Sequence, residues 1–185
     1  MTAQTEKSLM EDESPKVWVE CLATYNSGNS VGRWVNVPET VEGMQELINE
    51  VLQNSKEPFA EEWAFHCHEY FEPFDISEYE SIESLVKKAN IINQITDIEA
   101  FKAWDSSDID IENMTVEEII EKFESEFLGT YESEEDYAQS LMEECHEIPE
   151  YLTYYIDYSR FWRDLTHDGY YSHNFGWKNC YIFRR

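Results

Sequence analysis

Between Asp97 and Asp157 the chain carries 20 aspartates and glutamates against two lysines and no arginine. No other feature limits the fold so strongly. A block of this charge repels itself, and it can compact only if its apolar residues are placed to be buried along one side of each element. The flanks are milder: residues 1–96 hold 18 acids and 6 bases and residues 158–185 hold 2 acids and 5 bases, giving net charges of −12, −18 and +3 within a total of −27. Solubility asks for a magnitude of only about 2 to 8. The excess in one block therefore reads as a dedicated surface, whose sign repels nucleic acid and anionic membranes and favours a basic partner.

The block is nevertheless patterned to fold. Thr115 to Glu118 has the form of a capping box, and Val116, Ile119, Ile120, Phe123 and Phe127 recur at helical spacing behind it. The other face of this helix is expected to carry Glu117, Glu118, Glu121, Glu124 and Glu126, with Lys122 as the one nearby cation. Residues 130–144 contain six carboxylates and no lysine or arginine: Glu132, Glu134, Glu135, Asp136, Glu143 and Glu144. There Ser133 and Asp136 start a second helix, with Tyr137, Ala138, Leu141, Met142 and Cys145 as its apolar stripe. The helix dipole favours acids in the first turn and disfavours those near the end. An earlier helix over 40–54 buries Val41, Met44, Leu47, Ile48, Val51 and Leu52, and aligns Glu42, Glu46 and Glu50 at a spacing where like charges each cost a few tenths of a kcal/mol.

With 42% apolar and 15% aromatic residues the 185-residue chain has enough to bury and is expected to fold as α+β. Residues 16–25 (KVWVECLATY), 32–37 and 63–70 read as strands of a small antiparallel sheet, with a turn at 26–30. A helix over 81–95 presents Ile82, Leu85, Val86, Ala89 and Ile92, and a short helix over 157–165 leads to strand-like segments at 170–173 and 179–183. Residues 1–15 read as a flexible tail. Four cysteines without paired spacing and no apolar leader point to a reducing cytoplasmic compartment, and no run approaches the roughly 18 apolar residues of a membrane span.

The motifs give no support to an enzyme. His66 and His68 flank Cys67 in strand alternation, but no further ligand pair completes a tetrahedral zinc site, so an ordinary strand is expected and no metal or cofactor. Counted from Asp108, the acidic run 105–113 places Asn113 where an EF-hand needs glycine and Ile119 where it needs glutamate; it reads as a solvated linker. Cys145 beside His146 falls on an apolar stripe and reads as a buried structural thiol. Glycine-rich phosphate loops and GxSxG are missing.

What remains is the charge density. Duplex DNA carries one charge per about 1.7 Å of axis, so the net 18 charges of residues 97–157 correspond to about 31 Å of duplex. A compact unit of those 61 residues measures roughly 25 to 30 Å across. The densities agree to order of magnitude, although adaptation to high salt gives a similar count, and an acidic adaptor for a basic cytoplasmic protein is the alternative of another class.

Particular strings add to this. Residues 22–28 (LATYNSG) followed by 32–35 (GRWV), then 127–131 (FLGTY) with Asp136-Tyr137-Ala138 and Glu143-Glu144, then 155–165 (YIDYSRFWRDL) and 181–184 (YIFR), resemble in order the ArdA antirestriction family. The resemblance implies a non-enzymatic DNA mimic, encoded by mobile elements, that occupies the DNA-binding groove of type I restriction-modification enzymes. It also implies an elongated protomer of three small domains, laid on this chain as an N-terminal α+β domain (16–74), a helical middle domain (75–113) and a C-terminal α+β domain with the acidic region (114–185). The mimic surface would comprise Glu117, Glu118, Glu121, Glu124, Glu126, Glu132, Glu134, Glu135, Asp136, Glu143, Glu144 and Glu147. A homodimer formed near that region would place Tyr131, Tyr137 and Leu141 at the seam.

Overall fold

The computed structural model describes residues 13–55, 57, 58, 60–104, 110–174 and 179–185. The expected tail and acidic linker lie largely outside these residues. The fold is α+β and divides into two compact units, 1–94 and 95–185. The segment expected as a helical middle domain, 75–113, falls across that division.

In the first unit β1 (Lys16–Cys21) is the central strand, because Val17, Val19 and Cys21 alternate onto one face and are fully buried there. A short helix α1 (Leu22–Asn26) follows, then β2 (Gly32–Asn36), α2 (Val41–Asn54), β3 (Trp63–Glu69) and α3 (Ile82–Gln94). Strand order is β2-β1-β3, both pairs antiparallel, with Val17 opposite Val35 and His68. Helix α2 starts at Thr40, whose hydroxyl accepts from Gly43 N at 3.1 Å, and lays Met44, Ile48 and Val51 on the sheet beside Leu85, Val86 and Ala89 of α3.

The strand expected over 16–25 ends four residues early. Thr24 Oγ1 donates to the Cys21 carbonyl and Ser27 Oγ to that of Thr24, giving this backbone local partners in place of a ladder. The opposite face of β1 holds Glu20, only 1% exposed. It accepts from Trp18 Nε1 (2.7 Å), Ser30 Oγ (3.0 Å) and Val31 N (2.8 Å), and so ties the 27–31 loop to the strand. Gly32 is required beside it, since a Cβ there would lie 2.5 Å from the Trp18 indole nitrogen.

The second unit comprises α4 (Ile98–Ala103), α5 (Val116–Glu126), β4 (Phe127–Tyr131), α6 (Glu134–Cys145), α7 (Glu150–Thr153), α8 (Tyr158–Thr166), β5 (Tyr170–Asn174) and β6 (Cys180–Arg184). Its sheet runs β4-β6-β5, again antiparallel. The central strand reads Cys-Tyr-Ile-Phe and is buried on both faces. Cys180 and Ile182 meet Tyr137 and Ala138 of α6 and Trp162 and Leu165 of α8. Phe183 meets Phe127 (5.4 Å) and stacks on Tyr171 (5.1 Å), and through Phe127 the ring contacts continue to Phe123, Phe101 and Trp104. Strand β4 was not expected: Phe127 continues the apolar spacing of α5, but the chain turns extended there and Gly129, at φ +129°, sits where the β4–β6 register slips. Among the described residues no helix is long and apolar enough to cross a membrane.

Candidate functional site

Helix α5 owes its start to Thr115. Its hydroxyl accepts from Glu118 N (3.1 Å) while the Glu118 carboxylate accepts from Thr115 N (2.7 Å), so one of the expected surface acids also closes the capping box. Ile119 and Phe123 anchor one side in the core. Glu117, Glu121 and Glu124 recur at i, i+4 and i+7, and with Glu118 all are exposed. At a rise of about 1.5 Å per residue these four carboxylates span about 10.5 Å, a mean spacing of about 3.5 Å, against about 1.7 Å for duplex DNA.

Glu126 departs from the expected outward row. It is 8% exposed, with Trp104 Nε1 donating to Oε2 and Lys122 Nζ to Oε1, each at 2.7 Å. The helical phase explains this: Glu126 lies seven residues after Ile119 and three after Phe123, on the buried stripe. It is a fold residue, and Lys122 is engaged with it.

Helix α6 begins at Ser133, whose hydroxyl accepts from Asp136 N (3.1 Å). Glu135 and Asp136 in its first turn, Glu132 just before it, and Glu143, Glu144 and Glu147 at its far end are exposed. Asp136 accepts from Glu132 N at 3.4 Å, and Glu143 from Gln139 Nε2 at 2.7 Å. Glu134 is half-buried and accepts from Ser172 Oγ of β5, so it also fastens the helix to the sheet. Among the described residues no lysine or arginine pairs with Glu117, Glu118, Glu121, Glu124, Glu135, Asp136, Glu143, Glu144 or Glu147. Neighbouring acids are felt inside the unit. Burial, and then Glu134 and Glu135, push the Cys180 thiol up to about 11, and burial with Asp97 and Glu99 raises Tyr181.

The three residues expected at a dimer seam divide. Tyr137 is 6% exposed, edge-on to Tyr131 (5.0 Å) and to Trp162 (6.0 Å), and burial holds its phenol well above the usual range. It is packed in the core of the second unit with Ala138, Trp162 and Ile182. Tyr131 and Leu141 are half-buried against the same cluster. Cys145, expected inside, is exposed because the core beneath α6 ends at Leu141.

His66 lies 3.6 Å from a Glu78 carboxylate oxygen and edge-on to Tyr25, while Cys67 and His68 are exposed. Among the described residues no group of three or more histidine, cysteine or acidic side chains is arranged to hold a metal. Sequence reasoning missed the outward tyrosines of 151–155, which share a helical spacing with Tyr158 and the buried Trp162 and yet are exposed. A family model described as antirestriction protein ArdA matches residues 17–177. No curated protein sequence matches the chain.

Proposed function

Because the chain belongs to the ArdA family of antirestriction proteins, we propose that it acts by presenting carboxylates where DNA presents phosphates. The target would be the DNA-binding groove of a type I restriction-modification enzyme. The observation that carries this reading is the set of exposed acids on α5 and α6, held on capped helices and left without cations among the described residues. Lysines and arginines that clamp a duplex would meet these acids, and release of counterions from both surfaces would drive association, as it does for DNA. Since phosphate contacts position and base contacts specify, an imitation of backbone charge should inhibit enzymes of different target sequences alike. Glu117, Glu118, Glu121, Glu124, Glu132, Glu135, Asp136, Glu143, Glu144 and Glu147 form this surface, with Glu134 at its edge. The working unit would be a cytoplasmic homodimer, with Tyr131 and Leu141, but not Tyr137, available to its seam.

The test is displacement. Purified protein should be captured by a type I methyltransferase core, and added duplex should release it in proportion to the duplex's own affinity. Capture that duplex leaves untouched would mean an adaptor for a basic protein rather than a mimic.

A further inference from the structure

Tyr151, Tyr154 and Tyr155 are 70%, 89% and 85% exposed, and Leu152 between them is 41% exposed. They stand on α7 and the turn after it, a segment that contributes no buried residue yet is held by consecutive local bonds. Leu152 N donates to the Pro149 carbonyl (2.8 Å), Tyr155 N to that of Leu152 (2.9 Å), and Thr153 Oγ1 to that of Glu150 (2.7 Å). The tyrosines are thus displayed on ordered backbone. Tyr155 and Leu152 line a groove of about 460 Å³ together with Met142, Ile156 and two titratable side chains, His146 and Glu147. An exposed apolar patch of this kind marks an interaction surface.

The surrounding charge selects the occupant. Glu147 lines the groove, and Glu143, Glu144 and Glu150, next in sequence to Met142 and Tyr151, are exposed as well; from Phe123 to Ser159 the sequence contains no lysine or arginine. Another copy of the chain would bring the same four glutamates against these. A neutral apolar segment would leave them uncompensated, and an anionic ligand would be repelled. A guanidinium gains from both features, because its weakly hydrated plane stacks on aromatic faces while its N–H fork donates to carboxylates. Lysine, strongly hydrated, gains less from the rings.

Resting on the mimicry reading above, we infer that this groove and the exposed tyrosines next to it in the chain take arginine side chains of the enzyme's DNA-binding surface, stacked on Tyr155 in the groove and on Tyr151 and Tyr154 outside it, and hydrogen-bonded to Glu147 of the groove wall and to the exposed Glu143 and Glu144. Inhibition then has two separable parts, a salt-sensitive carboxylate part and a salt-tolerant aromatic one.

The experiment titrates a purified type I methyltransferase core with full-length wild type, with the Tyr151→Ser/Tyr154→Ser/Tyr155→Ser variant, and with the corresponding triple phenylalanine variant, at about 50 and about 200 mM salt. All three side chains are exposed, so each variant should melt like wild type. The serine variant should bind at least about tenfold more weakly at both salts with the salt slope unchanged, and phenylalanine should restore most of the loss. A serine variant that binds like a wild type displaceable by duplex would overturn this inference alone. The same holds for one that loses only self-association in sedimentation. A wild type that duplex cannot displace would overturn the mimicry reading as well.

Discussion

The two units solve one packing problem and then treat charge differently. Each builds a three-stranded antiparallel sheet around its most buried strand, and each sinks one glutamate against a tryptophan, Glu20 beside Trp18 and Glu126 beside Trp104, with indole donors at 2.7 Å in both. On the surface they part. The first unit uses its cations: Lys16 pairs with Glu69 (2.7 Å), Arg33 with Glu50 (2.5 Å) and Lys88 with Glu80 (2.8 Å). In the second, Lys102 and Lys122 go to Glu99 and Glu126, and the outward acids of α5 and α6 receive no base among the described residues. An exposed ion pair contributes only about 0 to 1 kcal/mol, so leaving those acids unpaired costs the fold little. The contrast teaches that burial carries stability here and that the outward charge is free to serve recognition.

The sharpest way to break this comparison is to empty the buried carboxylates. Glu20→Ala strands three donors at once and should cost about 3 to 5 kcal/mol in urea unfolding followed by tryptophan fluorescence. Glu126→Ala strands the Trp104 indole and Lys122 and should cost about 2 to 4 kcal/mol. If either proves as mild as Glu124→Ala, buried and outward glutamates are not the different classes drawn here.

Alkaline titration comes next. Burial raises Tyr137 and, with Glu134 and Glu135, raises Cys180 to about 11 in the folded chain. Both groups therefore hold their protons more tightly folded than unfolded. The stability they contribute is complete below the unfolded thiol value of about 8.5 and is lost as pH rises through about 11. Melting temperature should fall over that window, less steeply in Cys180→Ala after allowance for its packing loss. A flat profile to pH 11 would show that burial does not disfavour these anions.

The smallest expected effect is on stability at the surface. Glu117→Gln/Glu121→Gln/Glu124→Gln should leave the melting temperature within about 2 °C of wild type or raise it slightly, because like charges at helical spacing mildly repel. A large drop would make the acidic face structural.

Much of this was legible in the sequence for physical reasons. The caps Thr40, Thr115 and Ser133 announce themselves by residue type and spacing, and the stripes they precede are those that pack. Legibility failed where residue type and geometric phase disagree. Glu126 is acidic in kind but sits in the phase of Ile119 and Phe123, whereas Tyr137, read on the apolar stripe of its helix, is buried there. Strand β4 hid behind an apolar residue that fits helical spacing, and β1 ended early because hydroxyl donors of Thr24 and Ser27 compete with the ladder. The tyrosines of 151–155 fall at a helical spacing with Tyr158 and Trp162 that suits burial; only their exposure in the fold sets them apart.

The central claim, that outward carboxylates of the second unit stand in for phosphates, is tested most directly by the salt dependence of binding to a type I methyltransferase core. With about six carboxylate contacts, affinity should fall about a thousandfold between about 50 and about 200 mM salt. The Glu117→Gln/Glu121→Gln/Glu143→Gln/Glu144→Gln variant should show a slope smaller by roughly 0.9 for each lost contact. A wild-type affinity indifferent to salt, or a variant slope equal to that of wild type, would contradict the account.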